Sequence, residues 1–158
     1  MILYHGSNIE IPVIDLQKSK PNKDFGRAFY LSDNENQAIE MAEFKVSTFG
    51  GKCIVSRFEC DDTILEASDL KIKTFADYTE EWAKFIFANR DADSETNTHN
   101  YDIVYGPIAN DRVGRQIMNF KEGYISFDEF MRRLHFMKGI TFQYAFCTEK
   151  AVQKLKRL

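Results

Sequence analysis

Two short stretches near the start of the chain combine residue types that can hold a ligand. His5 is followed by Gly6, whose bare backbone lets a ligand approach closely, and then by the hydroxyl of Ser7. About twenty residues later, Gly26-Arg27-Ala28-Phe29-Tyr30 supplies a second glycine and an aromatic ring. A ring nitrogen, an open peptide and a flat aromatic face suit a planar ligand with polar edges. Each residue also has a plain structural use, His5 as a satisfied strand-end histidine and Tyr30 as core. Between the two stretches lie Lys18, Lys20 and Lys23, which with Arg27 form either a solvated face or an anion contact. The cysteines Cys53, Cys60 and Cys147 are odd in number, widely spaced and free of any C-x-x-C pair. They suit structural thiols in a reducing compartment. A zinc site would need His5, His99 or His135 to converge on them. No ligand spacing supports that, and no metal is expected.

The elements that must position these residues follow from pattern and punctuation. Residues 1–5 form a short strand ending at the turn cluster Gly6-Ser7-Asn8, and 9–23, with Pro12 and Pro21, form a loop. Residues 27–31 form a second strand. Ser32-Asp33, with Glu35 three residues after the serine, has capping-box spacing for a helix carried by Ala38, Met41, Ala42 and Lys45. Gly50-Gly51 breaks it, and 52–60 alternates as a strand. A long helix is predicted over 74–90, an exposed polar loop over 91–100, and a strand over 101–105 stopped by Gly106-Pro107. Asp111 caps a helix through Phe120 and Ser126 another through Met137. A strand over 141–147 precedes a basic terminal helix, 149–158, capped by Thr148. Strands and helices mix without regular β-α-β alternation, which predicts one α+β domain over residues 1–158.

Of the 158 residues, 44% are hydrophobic and 28% charged, and the formal net charge of −3 excludes a generally basic nucleic-acid coat while leaving room for a local basic cleft. No apolar run approaches the roughly 18 residues of a membrane helix, so a soluble protein is expected. Met1 leads directly into Ile2-Leu3-Tyr4-His5 without a basic or apolar leader pattern. Export is therefore not expected, and a cytoplasmic location is.

Tyr4-His5-Gly6-Ser7 and Phe25-Gly26-Arg27-Ala28-Phe29-Tyr30 resemble the first two signature motifs of the ADP-ribosyltransferase superfamily, H-G-[ST] and G-x-G-x-Y in its diphtheria-toxin and poly(ADP-ribose)-polymerase branch. The chain is similar above all to a bacterial branch with four blocks: a Y-H-G-S start, D-F-G-x-G-F-Y, Y-D-I-V-x-G-P-x-A-N-D, and a Q-x-x-F-x-T-E-K-A-L ending. Here these stand at 4–7, 24–30, 101–111 and 143–152, in order and across almost the whole chain. Ala28 replaces the glycine usual at its place, a change that fits unless the backbone there needs positive φ.

The resemblance implies a split β-sandwich with NAD, as co-substrate, in the cleft. His5 would hydrogen-bond and orient a ribose hydroxyl, and the Gly6 backbone would hold the nicotinamide carboxamide. Ser7 would add a hydroxyl contact and Tyr30 would stack on the nicotinamide. Gln143, in Phe142-Gln143-Tyr144, matches the third motif, giving a His-Tyr-Gln catalytic set in place of a carboxylate. Gly26, Arg27 and Asn110 join His5, Gly6, Ser7 and Tyr30 as cofactor-binding candidates, although Asn110-Asp111 equally suits a helix cap. Gln143 cannot act as a general base, so the acceptor must be reactive already or be deprotonated by a residue such as Asp111, Glu149 or Asp24.

The activity implied is single transfer of ADP-ribose to a macromolecule, protein being favoured, by a bacterial toxin or conflict effector with a small neutralising protein partner. Rivals within the fold are a nucleic-acid acceptor and an NAD glycohydrolase. A rival of another class is a non-catalytic NAD- or partner-binding module. All the catalytic readings require His5, Tyr30 and Gln143 to face one cleft.

Overall fold

Alternation along the first strand decides how the molecule is layered. In the computed structural model, which describes residues 1–93 and 95–158, β1 (Ile2–Ser7) runs antiparallel to β3 (Ile54–Glu59), with Leu3 opposite Phe58 and His5 opposite Ser56. Successive side chains leave opposite faces of a strand. Leu3 and Phe58 therefore enter the core together, while Tyr4 and Arg57 share the other face. α1 (Glu35–Phe49) lies on that second face, where Arg57 pairs with Glu35.

A second sheet has the order β2-β6-β5-β4, from β2 (Phe29–Leu31), β4 (Ile72–Thr74), β5 (Ile103–Pro107) and β6 (Phe142–Phe146). Its pairings are antiparallel except β4 with β5, which are parallel and joined through α2 (Glu80–Arg90). The two sheets share an apolar core that includes Leu3, Phe29, Leu31, Phe58, Ile103 and Phe146. The far face of the larger sheet is covered by α2, α3 (Asp111–Lys121) and α4 (Phe127–His135), which bury Trp82, Ile86, Val113, Ile117, Phe130 and Leu134. Burial of such side chains contributes about 1.5–3 kcal/mol each. The indole N–H of Trp82 is satisfied by the Pro107 carbonyl at 3.1 Å. The result is one α+β domain with two sheets. They meet at a bridge where Tyr4 exchanges backbone hydrogen bonds of 2.7 and 2.9 Å with Ser32.

Several elements differ from the sequence reading, each for a physical reason. β1 continues through Gly6 and Ser7, because β3 supplies partners that outweigh the local turn signal. The long helix starts only at Glu80, capped by Thr79. Ile72–Thr74 is instead drawn into the sheet by β5, and the Phe75 N–H donates to the Tyr105 carbonyl at 2.8 Å. β5 includes Gly106 and Pro107, which pair with Gln143 and Phe142 of β6, the proline ending the strand beyond its last pairing with β4 at Tyr105. Asn34, not Ser32, caps α1, because Ser32 is taken by the bridge to Tyr4 and its hydroxyl donates to Gln37. Asn110, not Asp111, caps α3, and α4 ends at His135. The terminal helix is reduced to α5 (Glu149–Val152), after which β7 (Lys156–Arg157) pairs with β3. The segment read as an exposed loop, 91–100, contains half-buried Asn97 and His99, and Ser94 within it lies outside the described residues. Among the described residues, no helix is long and apolar enough to cross a membrane.

Candidate functional site

The site is built on the open edge of β1. β1 is an outer strand of its sheet, and Tyr4 turns both its N–H and its C=O away from β3 toward Ser32. Peptide groups alternate sides along an antiparallel strand, so Gly6 turns its own N–H and C=O to the same edge. Beyond the Tyr4–Ser32 bridge that edge opens into a cavity of about 780 Å³. His5, Gly6, Ser7, Tyr30 and Gln143 all line it.

His5 is fixed from two sides. Its ring stacks on Phe29 with centroids 4.3 Å apart, and Nδ1 lies 2.6 Å from the Tyr30 carbonyl. A carbonyl only accepts, so Nδ1 carries the proton and Nε2 is left as a lone-pair acceptor. Burial, reinforced by the charge of Lys45, lowers the His5 pKa to about 4. The unfolded chain takes up this proton near the ordinary value of 6.5 and the folded one does not. Stability linked to His5 is thus complete above that value and lost as pH falls toward 4. The His5 ring resonances are expected to stay in the neutral form by NMR down to about pH 5, while the melting temperature declines over the same window. A His5 resonance titrating near 6.5 in the folded protein would contradict this placement.

Tyr30 is held by its hydroxyl, which donates to the Gly26 carbonyl at 2.6 Å and accepts from the Phe25 N–H at 3.1 Å. Burial pushes its pKa well above 10, so it stays protonated. The turn it grips is clamped from behind. The Asn97 side chain accepts from the Arg27 N–H at 2.6 Å and donates to the Arg27 carbonyl at 3.0 Å. Buried Asn89 donates to the Asp24 carbonyl, and His99 Nε2 bonds the Phe25 carbonyl. Gly26 sits at φ +82°, and a Cβ there would strike Asn97 Oδ1 at 2.5 Å. Ala28 has no positive φ, so its methyl is accommodated. Gln143, two residues from the Ala145 that pairs with Tyr30, shares Tyr30's sheet face. Its side-chain amide has no hydrogen-bond partner among the described residues.

Three sequence candidates are placed elsewhere. Gly26 shapes the turn without lining the cavity. Arg27 donates to the Gln17 and Ser19 carbonyls, each at 2.7 Å, and pairs with Glu95. It thus anchors the lysine loop. The Asn110 side chain is spent as a cap, accepting from the Val113 N–H at 3.1 Å. Of the suggested bases, Asp111 and Glu149 lie away from the cavity, while Asp24 lines it but is ion-paired with Arg90 at 2.7 Å. The cavity wall is cationic: Lys18, Lys20, Lys23, Lys45 and Arg90 face it against Asp24. In a chain of net charge −3 this is a pronounced local reversal. Lys23 also stands 5.1 Å over the Tyr30 ring.

A family model described as "Protein of unknown function (DUF3990)" matches residues 1–157. The chain belongs to the DUF3990 family. No curated protein matches it significantly. The DUF3990 match runs through both sheets, so the cavity and the amide clamps behind it all lie within the family domain. Sequence reasoning missed Lys45, Asn89, Asn97 and His99. A cation on the apolar stripe of α1, four residues from Met41, was a usable signal for Lys45. Asn89 and Asn97 had none, because a polar residue bound to a distant backbone looks like any loop or helix-end amide.

Proposed function

We propose that this protein is an NAD-dependent mono-ADP-ribosyltransferase with a split β-sandwich in which NAD lies along the open edge of β1. The observation that carries the reading is the Gly6 peptide on the cavity-facing edge of β1, its carbonyl held by Lys45, set among His5, Tyr30, Gln143 and a cationic wall. A carboxamide presents one donor and one acceptor, the complement of the Gly6 C=O and N–H. The Tyr30 ring offers a flat surface for nicotinamide, His5 Nε2 an acceptor for a ribose hydroxyl, and the lysines a partner for pyrophosphate. The volume falls within the roughly 300–1,000 Å³ of small-molecule sites.

In the reaction the bond from nicotinamide nitrogen to ribose C1′ breaks and its electron pair leaves with nicotinamide. The acceptor's lone pair forms the new bond to C1′, and its proton passes to solvent or an acceptor-side base. Fixing the ring and hydrogen-bonding the ribose favour the oxocarbenium-like transition state over the ground state. Gln143 supplies a neutral hydrogen bond where a carboxylate would add charge. Protein is the favoured acceptor, because Ile9, Met41, Phe44 and Phe49 form an exposed apolar rim at the mouth. The resemblance adds a bacterial conflict or toxin role, within the cell, restrained by a neutralising partner. One observation favours a non-catalytic binding module instead: among described residues, the cavity's carboxylate, Asp24, is already paired.

The deciding experiment incubates the purified protein with labelled NAD and bacterial lysate, followed by protease or ribonuclease. Protease-sensitive label is expected. Ribonuclease-sensitive label would move the acceptor to RNA, free ADP-ribose would indicate a glycohydrolase, and NAD binding without nicotinamide release would establish the binding module. Gln143→Ala is expected to lower transfer about a hundredfold while NAD still binds. Gln143→Glu is expected to raise nicotinamide release, and an unchanged rate would remove this position from the ribose.

A further inference from the structure

Lys45 reaches the backbone edge itself. From α1 its ammonium donates to the Gly6 carbonyl at 2.7 Å, half-buried, with no carboxylate in ion-pair range among the described residues. An ammonium kept partly from water with a neutral acceptor, in a wall already holding Lys18, Lys20 and Lys23, is a charge short of a counter-ion.

Resting on the NAD reading, the geometry points to Lys45 as the residue that makes the Gly6 edge selective for ligands carrying phosphate. Without ligand the ammonium occupies the Gly6 carbonyl. A dinucleotide's carboxamide takes over that carbonyl, and the released ammonium pairs with the ligand's phosphate oxygen. The Gly6 carbonyl keeps a partner throughout, and Lys45 exchanges a neutral acceptor for an anionic one, roughly doubling the strength of its hydrogen bond. Nicotinamide alone would displace the ammonium without giving it a new partner, so the free base is disfavoured. Once ADP-ribose has moved to the acceptor and departed, Lys45 returns to Gly6 and helps expel nicotinamide.

The charged groups around Lys45 are His5 on β1, Lys23 on the loop, and, across the cavity, Lys18, Lys20 and the Asp24–Arg90 pair. His5 is neutral at pH 7. Burial and Lys23 lower the Lys45 pKa to about 8, so phosphate-dependent affinity should fall as pH rises through that value. An arginine in its place stays charged.

The test is calorimetric titration of NAD and of nicotinamide into the wild type, Lys45→Met and Lys45→Arg at pH 7 and 9. Lys45→Met is expected to weaken NAD on the order of ten- to a hundredfold while nicotinamide binds equally or more tightly. Lys45→Arg is expected to keep NAD affinity at pH 7 and to lack the wild type's loss at pH 9. Equal effects on both ligands, or none, would overturn the inference while leaving NAD binding intact. Absence of NAD binding by the wild type would overturn the functional reading and this inference with it. If Lys45→Met does not fold, the pH profile of Lys45→Arg decides alone.

Discussion

Gly6→Ala is expected to destabilise the fold by about 3 kcal/mol or more, at the upper end of overpacking. A Cβ on Gly6 would lie 1.9 Å from the Ala38 carbonyl oxygen and 2.9 Å from the Ala42 nitrogen. Both are backbone atoms of α1, so no side chain can swing aside; the helix must retreat from β1. At about 2–4 °C per kcal/mol for a chain of this size, the melting temperature should fall by about 10 °C. Gly114→Ala is the control. It lies in α3 with open space around its Cβ, and is expected to be neutral or stabilising by up to about 1 kcal/mol. A melting point for Gly6→Ala within a degree or two of the wild type would show that α1 is not packed against β1 as described. The consequence for assays is direct: lost activity in a Gly6 variant reports a displaced helix before it reports a lost ligand contact.

Tyr30→Ala should produce the largest loss at the site. It removes a ring facing the cavity and, with the hydroxyl, the grip on the turn at 24–28. Truncating a large buried aromatic typically costs about 3–5 kcal/mol, and under the proposed function NAD affinity should fall at least about tenfold, since base–aromatic stacking contributes about 1–3 kcal/mol. Tyr30→Phe separates the two roles. It keeps the ring but strands the Phe25 N–H and Gly26 carbonyl, a stability cost of about 1–3 kcal/mol. Chemical denaturation and NAD titration of both variants give the comparison. Should Tyr30→Phe lose as much affinity as Tyr30→Ala, the hydroxyl's hold on the turn, and not the ring, would govern binding.

How far the sequence could be read depends on how local each signal is. The caps Thr148 and Ser126 and the break at Gly50 hold as read, because each acts through its own backbone within three or four residues. β4 was illegible, since Ile72–Thr74 is a strand only because β5 lies beside it, 31 residues away at Ile103. The same nonlocality hid β7 behind a helical, basic composition. At the site, His5, Gly6, Ser7, Tyr30 and Gln143 were legible as motif residues, and the structure draws them to one cavity. Arg27 and Asn110 carry the same polar chemistry as ligand contacts, and the fold engages each side chain with backbone groups. A sequence cannot reveal whether a polar side chain is already satisfied. Gly6 shows a subtler limit: its missing side chain faces a helix, and only its peptide faces the cavity.

The central place of β6 in the larger sheet sets an order on the birth of the site. β2, which carries Tyr30, joins β5 only through β6, whose residues are 142–146. During synthesis at about 5–20 residues per second, the ribosome has made most of the chain before Tyr30 has a neighbouring strand in its own sheet. His5 and Tyr30 can meet early through their own hydrogen bond, but β2 waits for its partner strand, translated more than a hundred residues later. A nascent chain halted before β6 lacks both Gln143 and the strand that pairs with β2, so the cavity wall is completed only when residues 142–146 have been made.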